Sequence, residues 1–294
     1  MTGSIWLTGN KGMLGTELSM LLEKASLPFT GTDRETDITD PAALDAFIRG
    51  EGRSFAWIVN CAAYTAVDKA EDDVDACRRL NAGGPANIAA CAKKTGGRLI
   101  HISTDYVFDG RGTRPYTEDD PADPVSVYGL TKREGEAAAL EGNFRTYVMR
   151  TAWLYGGYGG SFVQSMLRLM NERDEVRVLN DQKGTPTWVF DLASVIVDLI
   201  KAVEAGNNVP FGIYHYTNEG SVTWFDFAGE IYRRGRELGL IAKECAVKAC
   251  TGGEYPLRAK RPAYSVLDKT KIRAALGIDI PAWDKSLRKY LESL

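Results

Sequence analysis

Histidine is nearly absent from the sequence: His101 and His215 are the two in 294 residues. That scarcity excludes a His-rich metal centre and makes His-driven acid–base chemistry a poor reading. Cysteine is scarce and odd in number, five residues at positions 61, 77, 91, 245 and 250, with no C-x-x-C pair. The pattern argues against a disulfide framework and against a structural zinc site, and a reducing cytoplasm is the economical setting. No apolar run approaches the ~20 residues of a membrane span. The opening stretch from Met1 to Trp6 has no charged segment ahead of an apolar one, so no secretory signal is expected. Neither sign of charge dominates: 36 basic against 39 acidic residues leave −3, which offers no footprint for nucleic acid or an anionic membrane surface. Internal repeats, low-complexity tracts and Pro- or Ser-rich linkers are missing too, so a second domain must be closely fused to the first.

What remains is ordinary globular material, with 44% hydrophobic and 26% charged residues, enough for a sizeable core. At roughly 150 residues per domain, the length suits one large or two ordinary domains. The first half alternates short apolar runs with helical stripes. Ile5-Trp6-Leu7, Phe29-Thr30, Trp57-Ile58-Val59, Leu99 to Ile102 and Tyr147-Val148-Met149 read as strands. Between them, Leu14, Leu18, Leu21 and Leu22 share one helical face, and Asp40-Pro41 caps a helix that turns Leu44, Phe47 and Ile48 inward. Continuous apolar strands separated by helices require a parallel sheet covered on both faces. After Thr151 the texture changes to glycines at 156, 157, 159 and 160 and to shorter helices near Trp224–Leu238, Lys269–Leu276 and from Trp283. The expected division is a dinucleotide-binding domain of residues 1–152 with about 186–216, and a substrate-binding cap of about 153–185 with 217–294.

Thr8-Gly9-Asn10-Lys11-Gly12-Met13-Leu14-Gly15 forms G-x-x-G-x-x-G between the first strand and the first helix. Glycines there let the backbone turn tightly and approach a pyrophosphate, whose charge meets the free N–H groups of the helix start. A glycine-rich turn alone is weak evidence. Asp33, eighteen residues past Gly15, strengthens it, because a ribose-binding acid is expected at about that offset. Arg34 beside it would instead greet a 2′-phosphate, so NADH or NADPH preference stays open. The expectation is a Rossmann-type doubly wound parallel α/β sheet with a smaller α+β C-terminal cap.

Tyr128 and Lys132 stand four apart in Tyr-Gly-Leu-Thr-Lys, neighbours on one helical face. Ser103-Thr104-Asp105 directly follows the strand Leu99–Ile102, at the sheet edge where ligands bind in open α/β folds. Such a trio suits hydride delivery to a carbonyl: the oxygen that gains charge must receive a proton. A nearby ammonium is expected to lower the Tyr128 pKa and improve the phenol as an acid, while Thr104 hydrogen-bonds the same oxygen.

These residues, with Asn60 to Glu71, Asn81, Ser103 to Gly110, Arg150 to Gly156, Asp181 to Thr187 and Arg261 to Ser265, resemble the dTDP-4-dehydrorhamnose reductases of the extended short-chain dehydrogenase/reductase superfamily, nearly end to end. The resemblance implies NAD(P)H-dependent reduction of a 4-keto nucleotide sugar. Thr104, Tyr128 and Lys132 would be catalytic. Gly9, Asn10, Gly12, Met13, Leu14 and Gly15 would hold pyrophosphate, Asp37 and Ile38 the adenine, and Cys61, Ala62, Ala63 and Tyr64 the central part of the coenzyme. Asn81 and Ser103 would join that coenzyme set, and Lys132 would also bond the nicotinamide ribose. Val67, Thr104, Asp105, Tyr106, Trp153 and Arg261 would face the nucleotide sugar.

Two departures stand out. Cys61 replaces a smaller residue. Some members hold a divalent metal between subunits through three glutamates, and here Glu17 and Glu292 fall near two of those positions while Phe190 takes the third. A phenyl ring cannot ligate a hard cation, so a metal and a metal-bridged dimer are doubtful, leaving a monomer or homodimer. A sugar 4,6-dehydratase is disfavoured because Tyr106 stands where that family carries a glutamate. A non-catalytic nucleotide-binding subunit on the same scaffold, as in the regulatory subunit of methionine adenosyltransferase, and a reductase of another 4-keto-6-deoxy sugar nucleotide are the remaining alternatives.

Overall fold

The structure is a computed structural model that describes residues 4–50, 55–254 and 257–294. Met1 to Gly3, part of the segment read above for a secretory signal, lie outside the described residues. In chain order the first half runs β1 (Ser4–Thr8), α1 (Met13–Lys24), β2 (Phe29–Thr32), α2 (Pro41–Ile48), β3 (Phe55–Asn60), α3 (Val67–Ala70), α4 (Val74–Arg78), α5 (Gly84–Thr95), β4 (Arg98–Thr104), α6 (Val127–Gly142) and β5 (Thr146–Thr151). The second half holds β6 (Leu154–Tyr155), α7 (Phe162–Glu172), β7 (Glu175–Leu179), β8 (Lys183–Gly184), β9 (Thr187–Trp188), α8 (Val189–Glu204), β10 (Gly212–His215), β11 (Val222–Thr223), α9 (Trp224–Glu237), β12 (Ala246–Cys250), α10 (Thr270–Leu276) and α11 (Trp283–Glu292).

Six strands form one sheet in the order β2-β1-β3-β4-β5-β10, every pair parallel. Parallel strands need crossovers, and the helices supply them on both faces. On one face Leu18 and Leu22 of α1 meet Leu192, Ile196 and Ile200 of α8 over Leu7, Val59 and Met149. On the other, Leu44, Ile88, Ala92 and Ala139 close over Trp6, Ile58 and Leu99. Asp40 starts α2 as the sequence predicts, its carboxylate accepting the Ala42 and Ala43 N–H groups at 2.8 and 3.2 Å ahead of Pro41 at the first position.

The strand order reverses between β1 and β3, which opens a crevice beyond their carboxyl ends. A second core gathers Val163, Met166, Val176, Phe227, Ile231 and Leu287 from α7, β7, α9 and α11. The parallel pairing of β12 with β7 was not anticipated, because Ala246–Cys250 is mostly exposed and has no apolar alternation. Ile272 and Ile280 pack in the sheet's own core. The chain around α10 therefore returns to the first layer, although the sequence texture groups it with the cap.

Candidate active site

The loop after β1 is shaped by backbone contact. Gly9 adopts φ +66°, and a Cβ there would stand 2.7 Å from the Ala62 nitrogen in the loop after β3. At Gly15 a Cβ would lie 2.1 Å from the Gly9 carbonyl oxygen. Only hydrogens fit. No side chain caps α1 and its first turn carries no acid, so its N–H end remains available to an anion. Asn10 Oδ1 is buried without a hydrogen-bond partner. Close backbone approach and an uncapped helix start together fit a pyrophosphate-bearing dinucleotide.

Across the crevice, β4 ends at Thr104, whose hydroxyl accepts the Tyr106 N–H at 3.2 Å and opens a short turn over Asp105–Val107. Ser126 caps α6 by accepting the Gly129 N–H at 3.2 Å. Gly129 lets α6 approach this turn, since a Cβ there would be 2.2 Å from the Tyr106 carbonyl oxygen. Close approach brings Tyr128 beside Thr104, near enough for that hydroxyl to act on the phenol's pKa, and beside Tyr106, ring to ring at 5.5 Å and 76°. Lys132, one turn on, is buried and donates to the Ile102 carbonyl at 2.6 Å.

Gly9, Gly12, Met13, Leu14, Gly15, Cys61, Ala63, Val67, Ser103, Thr104, Asp105, Tyr106, Tyr128, Lys132 and Trp153 all line one cleft of about 640 Å³. The structure thus brings most of the residues singled out in the sequence to one cleft. Thr65, Ile102, Thr151, Ala152, Leu154, Gly159, Gly160 and Trp224 also line it and were not singled out. Trp224 comes from the second core and stacks on Trp153 at 3.6 Å and 10°, seventy-one residues away, a pairing no local pattern could signal.

Asp33, Arg34, Asp37, Ile38, Asn81 and Arg261 lie around the cleft rather than in its wall. Asp33 follows β2 beside the loop, where the Asn10 N–H meets the Thr32 carbonyl; its own N–H donates to Glu35, while Arg34 is exposed. Asp37 is exposed and accepts the Thr39 N–H, and Ile38 is buried against Gly84. Asn81 is buried and clamps the backbone of Tyr64, accepting its N–H at 2.8 Å and donating to its carbonyl at 3.1 Å, so it shapes the Ala62–Thr65 loop. Ser103 turns its hydroxyl to Glu136 at 2.5 Å. Arg261 pairs with both Asp68 oxygens at 3.0 and 2.7 Å. At the glutamate positions weighed for a metal, Glu292 accepts from Arg288 and Phe190 stacks on Trp188 at 4.8 Å.

One expectation needs correcting. Lys132 does not make Tyr128 more acidic: burial pushes the Tyr128 phenol well up, opposed chiefly by the Thr104 hydroxyl. Burial likewise holds Lys132 down, to about 8, because the cleft walls shut out the water that would stabilise either charge. The phenol is consequently held in its protonated, donating form. Asp105 is pushed up to about 6 by burial.

A doubly wound parallel sheet with a glycine loop at its reversal and a Thr-Tyr-Lys set across the crevice defines a dinucleotide-binding protein of the short-chain dehydrogenase/reductase kind. Residues 3–294 match the family described as RmlD substrate binding domain, and the chain belongs to that family. It is 44% identical to a dTDP-4-dehydrorhamnose reductase of Streptomyces griseus, over 98% of this chain and 93% of that protein. Identity to a dTDP-4-keto-6-deoxy-D-glucose reductase of Streptomyces niveus is 37%, over 98% and 96%. The solved structure of a dTDP-4-dehydrorhamnose reductase from Bacillus anthracis in complex with NADP superposes over the whole of both chains with a TM-score of 0.92 at 33% identity.

Gly15→Ala is expected to destabilise the chain by ~1–3 kcal/mol, the usual cost of overpacking, and to weaken NADPH binding. Urea denaturation and titration calorimetry would measure these. Unaltered affinity would count against the loop as the pyrophosphate cradle.

Proposed function

We propose that the chain reduces the C4 ketone of dTDP-4-dehydro-L-rhamnose, giving dTDP-L-rhamnose, with NADH or NADPH as the reductant. The observation that carries this reading is the convergence of Thr104, Tyr128 and Lys132 on the cleft that the glycine loop opens into. The names of its relatives support the substrate class. When bound, a nicotinamide coenzyme supplies the hydride.

The chain's own residues do the rest. The N–H groups around Gly12 and at the start of α1 hold the pyrophosphate. Thr104 hydrogen-bonds the ketone oxygen and fixes its position. Tyr128, held neutral by burial, gives its proton to that oxygen as charge develops there. Lys132, anchored to Ile102, holds the nicotinamide ribose. Trp153, braced by Trp224, forms the wall on the sugar side. We assign the sheet with α8, β10 and the chain around α10 to coenzyme binding, and α7, β7, α9, β12 and α11 to the substrate cap. The chain is read as a reductase of the cytoplasm, where its five cysteines stay reduced, acting on a small molecule as a monomer or homodimer. Among the described residues, no helix is long and apolar enough to cross a membrane.

The deciding experiment supplies NADH and NADPH separately with a panel of 4-keto sugar nucleotides and identifies the products. Fastest turnover with dTDP-4-dehydro-L-rhamnose is expected. Preference for a different 4-keto sugar would move the assignment to that substrate, and absence of ketone-dependent coenzyme oxidation would favour a non-catalytic binding protein.

Lys132→Ala should weaken coenzyme binding and lower turnover together. Because burial depresses Lys132 from 10.5 to about 8, its charge is present at pH 7 and lost as pH rises through 8. Coenzyme affinity is therefore expected to fall between pH 8 and 9 in the wild type, with Lys132→Ala showing no such fall. Titration calorimetry across that range reads it.

A further inference from the structure

Thr104 has one hydroxyl hydrogen, and the structure spends it on the wrong partner for catalysis. That hydroxyl donates to Asp105 Oδ1 at 3.1 Å while accepting the Tyr106 N–H. Held so, Thr104 has no hydrogen to offer a ketone oxygen. Turning the hydrogen outward would strip a donor from a carboxylate that is 2% exposed and whose Oδ2 already lacks a hydrogen-bond partner. Stranding a buried ion in that way is costly.

A proton on Asp105 removes the conflict. The neutral acid donates to Thr104 Oγ1, and the Thr104 hydrogen is released toward the cleft. We infer that Asp105 works as a neutral carboxylic acid that reverses the Thr104 hydrogen bond, making it a positioning residue for the ketone oxygen rather than a sugar contact. The inference rests on the proposed reduction and leaves its balance unchanged: hydride and the Tyr128 proton still complete the alcohol, and Asp105 keeps its own proton.

Its surroundings favour the neutral form. The titratable groups facing it are Tyr106 on its own turn and Tyr128 from α6; Arg261 and Asp68 lie beyond, against Tyr106. Among the described residues no cation pairs with the carboxyl, and burial pushes it up to about 6 against the pull of the Ser265 and Thr104 hydroxyls and of the Asp105 and Tyr106 N–H groups. A carboxylic acid kept neutral in an apolar site so that it can donate is an established device.

The sign follows directly. Above the Asp105 pKa the acid ionises, recaptures the Thr104 hydrogen, and kcat/KM for ketone reduction falls roughly tenfold per pH unit. Asp105→Asn supplies an amide donor at every pH, so the variant-to-wild-type ratio of kcat/KM should climb at least about tenfold from pH 6 to pH 8. In a Thr104→Val background the same substitution should leave the shape of the pH profile unaltered. A ratio that stays flat, or an equal change with valine at 104, overturns the inference. Infrared difference spectra between pH 5 and 8 give a reading independent of turnover: a protonated-carboxyl band should titrate near pH 6 in the wild type and be lost in Asp105→Asn. Absence of that band also overturns it. Failure of the wild type to reduce any 4-keto sugar nucleotide, with the band present, would instead sink the proposed function alone.

Discussion

Tyr128→Phe is expected to lower kcat by ~10²–10⁴, the usual worth of a positioned general acid, while coenzyme affinity stays close to that of the wild type. The phenyl ring keeps the edge-on contact with Tyr106 at 5.5 Å, so the wall of the cleft should not collapse. What disappears is the hydroxyl beside Thr104, and with it the proton that the proposed reduction delivers to the new alkoxide. Loss confined to the transition state appears in kcat and kcat/KM together. Steady-state kinetics on the 4-keto sugar nucleotide, paired with calorimetric coenzyme titration, would check both halves. Near-wild-type turnover would remove Tyr128 from the chemistry. A large loss of coenzyme affinity would reassign it to binding.

The second large effect lies one turn beyond Lys132. Glu136 is buried on α6 and accepts from two Arg150 nitrogens, Nε at 2.8 Å and Nη2 at 2.7 Å, together with the Ser103 hydroxyl. Arg150 also lies over the Phe108 ring at 5.1 Å and reaches His215 Nε2 at 3.4 Å, which burial and that same guanidinium keep neutral, with its pKa near 3. Glu136→Ala would strand a 3%-exposed guanidinium without its counter-ion. The expected cost is ~3–5 kcal/mol, a large share of a typical domain's stability. Glu136→Gln should cost less, since it keeps the shape and part of the hydrogen bonding. Replacing Glu136 and Arg150 together by leucine and methionine should recover much of the loss, because a buried pair is not itself strongly stabilising. Urea denaturation of the three variants would decide; a Glu136→Ala penalty below about 1 kcal/mol would mean that water reaches the pair.

His215 adds a pH signature to this network. Its folded pKa lies below the ordinary 6.5, so the unfolded chain binds the proton more readily between about 3 and 6.5, and stability falls as pH drops through that window.

Much of the site was legible because its signals are local. A glycine loop between strand and helix, a hydroxyl at a strand's carboxyl end, and a tyrosine with lysine one turn on each report a backbone constraint or a fixed side-chain spacing. The parts that were missed depend on what folding brings alongside. Lys132 looked like an acidifying neighbour of Tyr128, but four-residue spacing says nothing of burial, and burial decided both pKa directions. Arg261, read as facing the sugar nucleotide, is paired through two of its N–H groups with Asp68, 193 residues earlier in the chain, a partner that no local pattern could signal.

Period and local motifs, which depend on residues within a few positions of one another, determined the alternating α/β order, the glycine loop between β1 and α1 and the residues of the candidate donor set. Only the packed molecule decided that Trp224 backs Trp153, that the chain near α10 returns to the sheet, and that the Thr104 hydrogen points to Asp105. Those facts turn on distances between segments far apart in sequence and on how much water reaches them, quantities that no stretch of sequence carries by itself.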